Sequence, residues 1–171
     1  MDIQVRLVNG SRGKLIYGSL AFDCALGKAG ITKEKREGDH ATPAGRFLLR
    51  WLFYRADKTP NIQSLLPQQK ISTFDGWCDA SGHENYNRYV RLPFEHSHEK
   101  LWRDDDLYDL VVVLGQNDSP VVAGAGSCIF IHITRGQYEP TEGCVALKKA
   151  DMIELLAELD PECWIAITPA D

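Results

Sequence analysis

Short runs of branched and aromatic residues, separated by turn-forming ones, are the feature of this sequence that most constrains its fold. Such runs are typical of β-strands, and clusters of Gly, Pro, Asn and Asp are typical of the turns between them. The predicted strands cover residues 3–8, 15–24, 46–54, 110–114, 129–134 and 163–168. The runs LVVVL (110–114) and IFIHIT (129–134) are almost wholly apolar, which predicts buried strands.

Helical spacing is clear in only one stretch of the sequence. Residues 148–159 place five apolar residues on one predicted face, namely Met152, Ile153, Leu155, Leu156 and Leu159. A shorter helix is predicted at 98–102, a hairpin turn at NGSRGK (9–14), and connecting structure at 55–70. Many short strands and few helices together predict a mostly β fold, a sandwich or barrel with a few short helices.

Length and charge limit the classes of protein to consider. A chain of 171 residues fits one domain with a real hydrophobic core, so we predict a single domain, 1–171. The net charge is -5 and no block of Lys and Arg is present, so we expect no nucleic-acid partner. No apolar run approaches the length of a membrane span, and MDIQVRLVNGSRGKLIYG lacks the pattern of an export signal. We therefore expect a cytoplasmic protein without membrane contact.

One Cys and one His attract attention because they lie twelve residues apart, in IFIHITRGQYEPTEGCVAL (129–147). Gly143 permits a sharp turn before Cys144, which would leave the amides of Gly143 and Cys144 free to bind an oxyanion. A thiolate nucleophile needs a nearby base, and His132 is the candidate. The alternative is that Cys144 is a small buried hydrophobe and His132 a hydrogen-bonded core histidine. For a lone Cys and a lone His, the residues by themselves favour that alternative.

Metal and phosphate binding are weaker interpretations. Six residues of types that can bind metal ions lie near one another in sequence: Cys78, His83, Glu95, His96, His98 and Glu99. The HxH pair could ligate zinc, but no third ligand has a recognisable spacing and no CxxC is present, so we expect no metal. The five cysteines, an odd number at irregular spacing, suit reduced thiols. The loop GDHATPAG (38–45) lacks the ending of a phosphate loop and is interpreted as a connection held by Asp39 and Pro43.

Taken together, two of these segments resemble the YkuD-type L,D-transpeptidase catalytic domain. That family carries a His on a strand, a loop, and then [S/T]-H-G-C followed by a branched residue; here His132 is followed by Thr141, Glu142, Gly143, Cys144 and Val145. The family also has an upstream G-D-x-x-T-P-x-G-x-F element, which GDHATPAGRF (38–47) matches. Two elements in the family's order are more specific than either alone. The resemblance covers roughly residues 1–168.

The resemblance implies a β-sandwich-like fold with the catalytic Cys in a cleft. Cys144 would attack the stem peptide of peptidoglycan at the bond between an L-centred diamino acid and a terminal D-alanine. His132 would take the thiol proton, or hold it in a thiolate–imidazolium pair, and later protonate the leaving amine. The amides of Gly143 and Cys144 would bind the oxyanion. The thioester would then pass to an amine, giving a 3,3 cross-link, or to water, giving a tripeptide. No cofactor is implied, and carbapenems are expected to acylate the Cys.

Three positions depart from the family pattern. Glu142 replaces the His of [S/T]-H-G-C, Ala146 replaces an Arg, and Ile133 follows the catalytic His, where only its backbone carbonyl could orient the imidazole. Another cation would then bind the substrate carboxylate, because guanidinium groups suit bidentate carboxylate recognition. The predicted substrate-binding residues are Arg88, Arg103, Arg135, Thr141 and Glu142.

Location distinguishes the possible reactions. Cross-linking requires polymeric wall outside the membrane, whereas a cytoplasmic member would meet muropeptides from wall turnover. The sequence, which resembles the signal-less branch, therefore predicts an L,D-carboxypeptidase of cell-wall recycling. The alternatives are an L,D-transpeptidase, in the periplasm if an export signal has been removed, and a muropeptide-binding module without turnover.

Overall fold

The protein folds into short strands and one helix, as seen in a computed structural model that describes residues 1–169. The strands are β1 (Asp2–Asn9), β2 (Arg12–Tyr17), β3 (Leu20–Ala25), β4 (Ile31–Thr32), β5 (Thr42–Pro43), β6 (Gly45–Tyr54), β7 (Gln68–Lys70), β8 (Asp75–Cys78), β9 (Tyr89–Arg91), β10 (His98–Lys100), β11 (Leu110–Leu114), β12 (Phe130–Ile133), β13 (Val145–Leu147) and β14 (Trp164–Thr168). The helix is α1 (Lys149–Glu158).

Nine strands form one sheet, in the order β11-β12-β13-β3-β2-β1-β14-β6-β7. Because β6 also pairs with β11, the sheet closes on itself into a barrel-like arrangement. A second sheet of three strands has the order β10-β8-β9, and β4 pairs with β5. The predicted mostly β class is confirmed, although the described residues contain one helix rather than a few. No helix among them is long and apolar enough to span a membrane.

Two of the sequence-based strand and helix predictions are wrong. Residues 15–24 form two strands of a hairpin, because Gly18 takes a positive φ of 57° and lets Tyr17 pair with Leu20. Residues 98–102 do not form a helix, since His98–Lys100 is β10 and pairs with β8. The connecting segment 55–70 also ends in a short strand, β7.

The predicted helix is confirmed as α1, which packs its apolar side on the main core. Met152, Leu155 and Leu156 are fully or almost fully buried, as the spacing predicts. The spacing also places Ile153 on this face, but Ile153 is 39% exposed. A helix turns by about 100° per residue, so Ile153 points away from its buried neighbour Met152.

The strands β11 and β12 are buried on both faces, as their apolar sequences predict. On one face Val112, Ile131 and the buried side chains of α1 belong to the larger hydrophobic cluster. On the other face Val111 and Phe130 belong to a smaller cluster, covered by aromatic residues of the three-stranded sheet. The candidate site lies on this second face.

Candidate active site

Strand pairing brings the predicted His and Cys to the same face of the sheet. β12 and β13 are parallel, with His132 opposite Ala146, and Cys144 directly precedes β13. Side chains alternate between the faces of a strand, so Cys144 and Ala146 face the same way as Phe130 and His132. Cys144 and His132 both line one cavity of about 510 Å³.

The turn before Cys144 is held by Thr141. The Thr141 Oγ1 donates to the carbonyl of Cys144 at 2.6 Å and accepts from the amide of Gly143 at 3.1 Å. Gly143 has φ +142°, and a Cβ built on it would lie 2.9 Å from the carbonyl oxygen of Ala41. Only glycine therefore fits this turn without strain. The structure gives the predicted oxyanion donor Gly143 an internal partner, and it gives Thr141 a structural role in the turn that precedes Cys144.

His132 is oriented by the backbone carbonyl of Ile133, the group predicted from the sequence. Its Nδ1 lies 2.9 Å from the carbonyl oxygen of Ile133. A carbonyl oxygen only accepts, so Nδ1 carries the proton and Nε2 keeps a free lone pair. Burial lowers the pKa of His132 to about 4, which keeps the imidazole neutral near pH 7. The ring of Tyr108 packs against His132 at a centroid distance of 5.5 Å and restricts its rotation.

The thiol of Cys144 is also held in its neutral form. Its Sγ donates to the carbonyl of Cys128 at 3.1 Å and accepts from the amide of Phe130 at 3.4 Å. Burial raises the pKa of Cys144 to about 12. With His132 neutral as well, the cavity is lined by a thiol and a neutral imidazole rather than by a thiolate–imidazolium pair. This arrangement suits general-base activation of the thiol during attack.

Two of the three predicted arginines reach the cavity. Arg103 and Arg135 line it, and both bind the carboxylate of Asp105, at 2.6 and 3.2 Å. The bidentate contact with Arg103 holds the pKa of Asp105 well below its usual range. Arg88 instead lines a second cavity of about 460 Å³, which shares no lining residue with the first. The structure therefore does not bring Arg88 to Cys144.

Glu142 and the upstream element meet at the mouth of the cavity. The carboxylate of Glu142, which is 80% exposed, contacts Nδ1 of His40 in the GDHATPAG loop. Behind this pair, the chain after β3 joins both loops: Gly27 bridges to Thr141, and its amide donates to Thr42 Oγ1 at 2.8 Å. The two sequence elements of the resemblance thus pack together, although about a hundred residues separate them.

Sequence reasoning missed several polar residues that line the cavity. These residues include Lys35, Asp79 and Glu99. Lys35 belongs to a run of charged residues, Asp79 directly follows β8, and Glu99 lies in β10 of the three-stranded sheet. Burial raises the pKa of Glu99, whose Oε2 accepts from Tyr108 Oη at 3.3 Å. The Oδ1 of Asp79 is buried and has no hydrogen-bond partner within residues 1–169. In the sequence, Glu99 stood out only as a possible metal ligand, an interpretation that the spacing did not favour, and Lys35 and Asp79 carry no local signal beyond being charged.

The histidine-rich segment does not assemble into a metal site. The rings of His83 and His96 are 4.2 Å apart between centroids, and Phe94 packs edge-on against His83. The Nδ1 of His83 already accepts from the amide of Asn85 at 3.0 Å. Across the described part of the chain, no three His, Cys, Asp or Glu side chains are grouped so that they could hold a metal ion.

Comparison with known proteins identifies one family. The family model described as "YkuD: L,D-transpeptidase catalytic domain" matches residues 4–167. No curated protein and no solved structure gives a significant match to the chain.

Proposed function

The chain belongs to the YkuD family of L,D-transpeptidase catalytic domains, and we propose that it is an L,D-carboxypeptidase that releases the terminal D-alanine from peptidoglycan tetrapeptides. The family assignment supports a Cys-dependent enzyme of the L,D-transpeptidase type that acts on peptidoglycan-derived peptides. One observation carries the chemical proposal. His132 lines the same cavity as Cys144, and the Ile133 carbonyl fixes its proton on Nδ1, which leaves Nε2 unprotonated.

The proposed first half-reaction forms a thioester. As Cys144 Sγ attacks the carbonyl carbon of the L-centre, its proton moves to Nε2 of His132, and the carbonyl oxygen takes up negative charge. The intermediate then collapses, the carbon–nitrogen bond breaks, and the imidazolium gives its proton to the departing amine of D-alanine. In the second half-reaction, His132 takes a proton from water while the water oxygen attacks the thioester. The tripeptide leaves and the thiol is restored.

The substrate carboxylate is proposed to bind at Arg103 and Arg135. Both guanidinium groups line the cavity and are partly exposed, so a ligand can reach them. They share a single carboxylate partner, Asp105. Among these three side chains two cations face one anion, and this excess of one positive charge suits the terminal carboxylate of the leaving D-alanine.

Hydrolysis is preferred to transfer because it requires only one bound peptide. A cavity of about 510 Å³ is within the range of pockets that hold one small ligand, and the second cavity does not share its lining. The departures at Ala146 and Glu142 also alter the part of the family motif next to the nucleophile. The recycling role and the cytoplasmic location remain predictions, which cell fractionation would test.

The test is an incubation with a disaccharide-tetrapeptide, with and without a D-amino acid acceptor, followed by mass spectrometry of the products. The proposal predicts tripeptide and free D-alanine in both reactions, and neither product with Cys144→Ala. An exchanged tetrapeptide as the main product would instead support the L,D-transpeptidase alternative. Tight binding of the tetrapeptide without release of D-alanine would support a binding module.

A further inference from the structure

We propose that Lys35 is a further catalytic residue, whose ammonium group stabilises the oxyanion that forms on the substrate carbonyl during attack by Cys144. This inference rests on the acyl-transfer chemistry proposed above. An oxyanion needs positive charge or hydrogen-bond donors that are in place before the reaction and shielded from water. The Gly143 amide, one of the donors expected from sequence, is occupied by Thr141 Oγ1.

The side chain of Lys35 is buried, unlike those of the charged residues around it. It is only 8% exposed, whereas Lys33, Glu34, Arg36 and Glu37 of the same charge run are exposed. The stem of Lys35 passes beside Gly126, where a Cβ would lie 2.9 Å from Lys35 Cγ. Gly126 therefore leaves the space that Lys35 occupies. A lysine is rarely buried without a partner or a function, because desolvation of its charge is costly.

The ion pair of Lys35 with Asp39 has its positive end towards the cavity. The Nζ of Lys35 binds Oδ1 of Asp39, and the Asp39 carboxylate also accepts from the amides of Arg36 at 2.8 Å and Ala41 at 2.9 Å. Lys35 lines the cavity, but Asp39 is not among the lining residues. Asp39 thus anchors the ammonium group from outside the cavity lining, and the ammonium group has further N–H donors beyond the one that Asp39 accepts.

Lys35 also lies beside the nucleophile turn. A Cβ built on Gly143 would be 3.5 Å from Lys35 Nζ, which places the ammonium group next to the residue that precedes Cys144. The Lys35 charge acts to lower the pKa of Cys144, although burial outweighs it. The carbonyl oxygen of a bound substrate must lie near this turn when its carbon is within reach of Sγ. The more exposed Arg103 and Arg135 remain the better candidates for the substrate carboxylate.

The proposed step transfers no proton from Lys35. As the bond between Sγ and the carbonyl carbon forms, an electron pair of the carbonyl moves onto its oxygen, and the ammonium group stabilises that charge. When the intermediate collapses, the pair returns and the leaving group departs with the proton from His132. Alkylation of the same thiol by iodoacetamide displaces iodide and forms no oxyanion, so it does not use this contribution of Lys35.

The test compares acylation of Cys144 by p-nitrophenyl acetate with its alkylation by iodoacetamide, in wild type, Lys35→Met, Lys35→Arg and the double variant Lys35→Met/Asp39→Asn. The rate measured with Cys144→Ala is subtracted as the background from other groups. Urea unfolding verifies that each variant is folded. Loss of one oxyanion donor typically lowers the rate about 10²–10³-fold. We expect a loss of this order in acylation for Lys35→Met, a much smaller loss in alkylation, and partial recovery in Lys35→Arg.

The double variant separates catalysis from structure, because it also removes the carboxylate charge that Lys35→Met leaves unpaired. The proposal predicts that acylation stays slow in the double variant. Recovery of acylation there, or equal losses in acylation and alkylation, would overturn it in favour of a structural or positioning role. If wild type is acylated by the ester but does not cleave the tetrapeptide, the peptidoglycan substrate is wrong and the role of Lys35 stands.

Discussion

Cys144 and His132 are both buried, and burial disfavours the charged form of each. The pKa of Cys144 is raised to about 12 and that of His132 is lowered to about 4, so both are neutral over a wide pH range. Cys144, the proposed nucleophile, is therefore a thiol rather than a preformed thiolate. In the proposed reaction, its activation depends on transfer of the proton to Nε2 of His132 as the carbon–sulfur bond forms.

This neutrality predicts an unusual pH profile for the release of D-alanine. Because the pKa of His132 is lowered, the free base persists as pH falls, and kcat/KM should decline only as pH drops through about 4. An unperturbed histidine would give that decline near pH 6.5. The profile would be measured between pH 3.5 and 8, with circular dichroism at each pH to verify that the protein is folded. A decline centred near pH 6.5 would show that burial does not hold His132 neutral.

Thr141 offers a test of the turn that precedes Cys144. Thr141→Val keeps the shape of the side chain but leaves the Gly143 amide and the Cys144 carbonyl without their partner. A buried polar group left unpaired costs about 1–3 kcal/mol, so the free energy of unfolding should fall by roughly this amount. Urea unfolding measures it, and Thr141→Ser is the matched control because it keeps the hydroxyl. Equal stability of the Val and Ser variants would show that the two hydrogen bonds contribute nothing.

Among the elements of the fold, the segment after β3 connects the two loops of the site. Its backbone donates from Lys28 to the Thr141 carbonyl at 2.8 Å and accepts at Leu26 from the Thr141 amide at 2.9 Å. On its other side, Gly27 lies against the GDHATPAG loop. A Cβ on Gly27 would approach the His40 carbonyl oxygen to 2.5 Å and the Thr42 amide nitrogen to 2.7 Å. The absence of a side chain at Gly27 lets the loops approach each other.

Gly27→Ala should therefore separate the loops. Overpacking in a buried position typically costs about 1–3 kcal/mol, and displacement of the loop would also move Lys35 and His40 away from the cavity. We expect a lower melting temperature together with slower release of D-alanine. Gly82→Ala is the matched control, because a Cβ there meets no atom within 4 Å. If the two variants have the same melting temperature and activity, the close approach at Gly27 is unimportant.

The elements that could be predicted from sequence are those whose side-chain pattern is strong over several residues. The buried strands β11 and β12 and the helix α1 are of this kind. The short strands β8, β9 and β10 were missed because their pairing with one another, rather than a local pattern, determines their conformation. The same tertiary pairing makes residues 98–100 a strand where sequence predicted a helix.

At the scale of the whole molecule, the site depends on contacts between segments that are distant in sequence. Resemblance to a family indicated that GDHATPAGRF and the TEGC turn belong together, and the contact between His40 and Glu142 shows where they meet. Sequence could not distinguish Arg88 from Arg103, because only the fold determines which cavity each side chain lines. Lys35 was missed for the same reason. A run of charged residues predicts exposed side chains, as four of its charged neighbours are, and only the fold buries the side chain of Lys35 at the cavity.

The central claim is that Cys144 is the residue that becomes acylated. Incubation with a carbapenem, followed by intact-mass spectrometry and peptide mapping, tests this claim most directly. Cys128 lines the same cavity, so Cys128→Ala is the matched control. We predict an adduct on Cys144 that is absent in Cys144→Ala and retained in Cys128→Ala. An adduct that persists in Cys144→Ala, or that maps to Cys128, would contradict the claim.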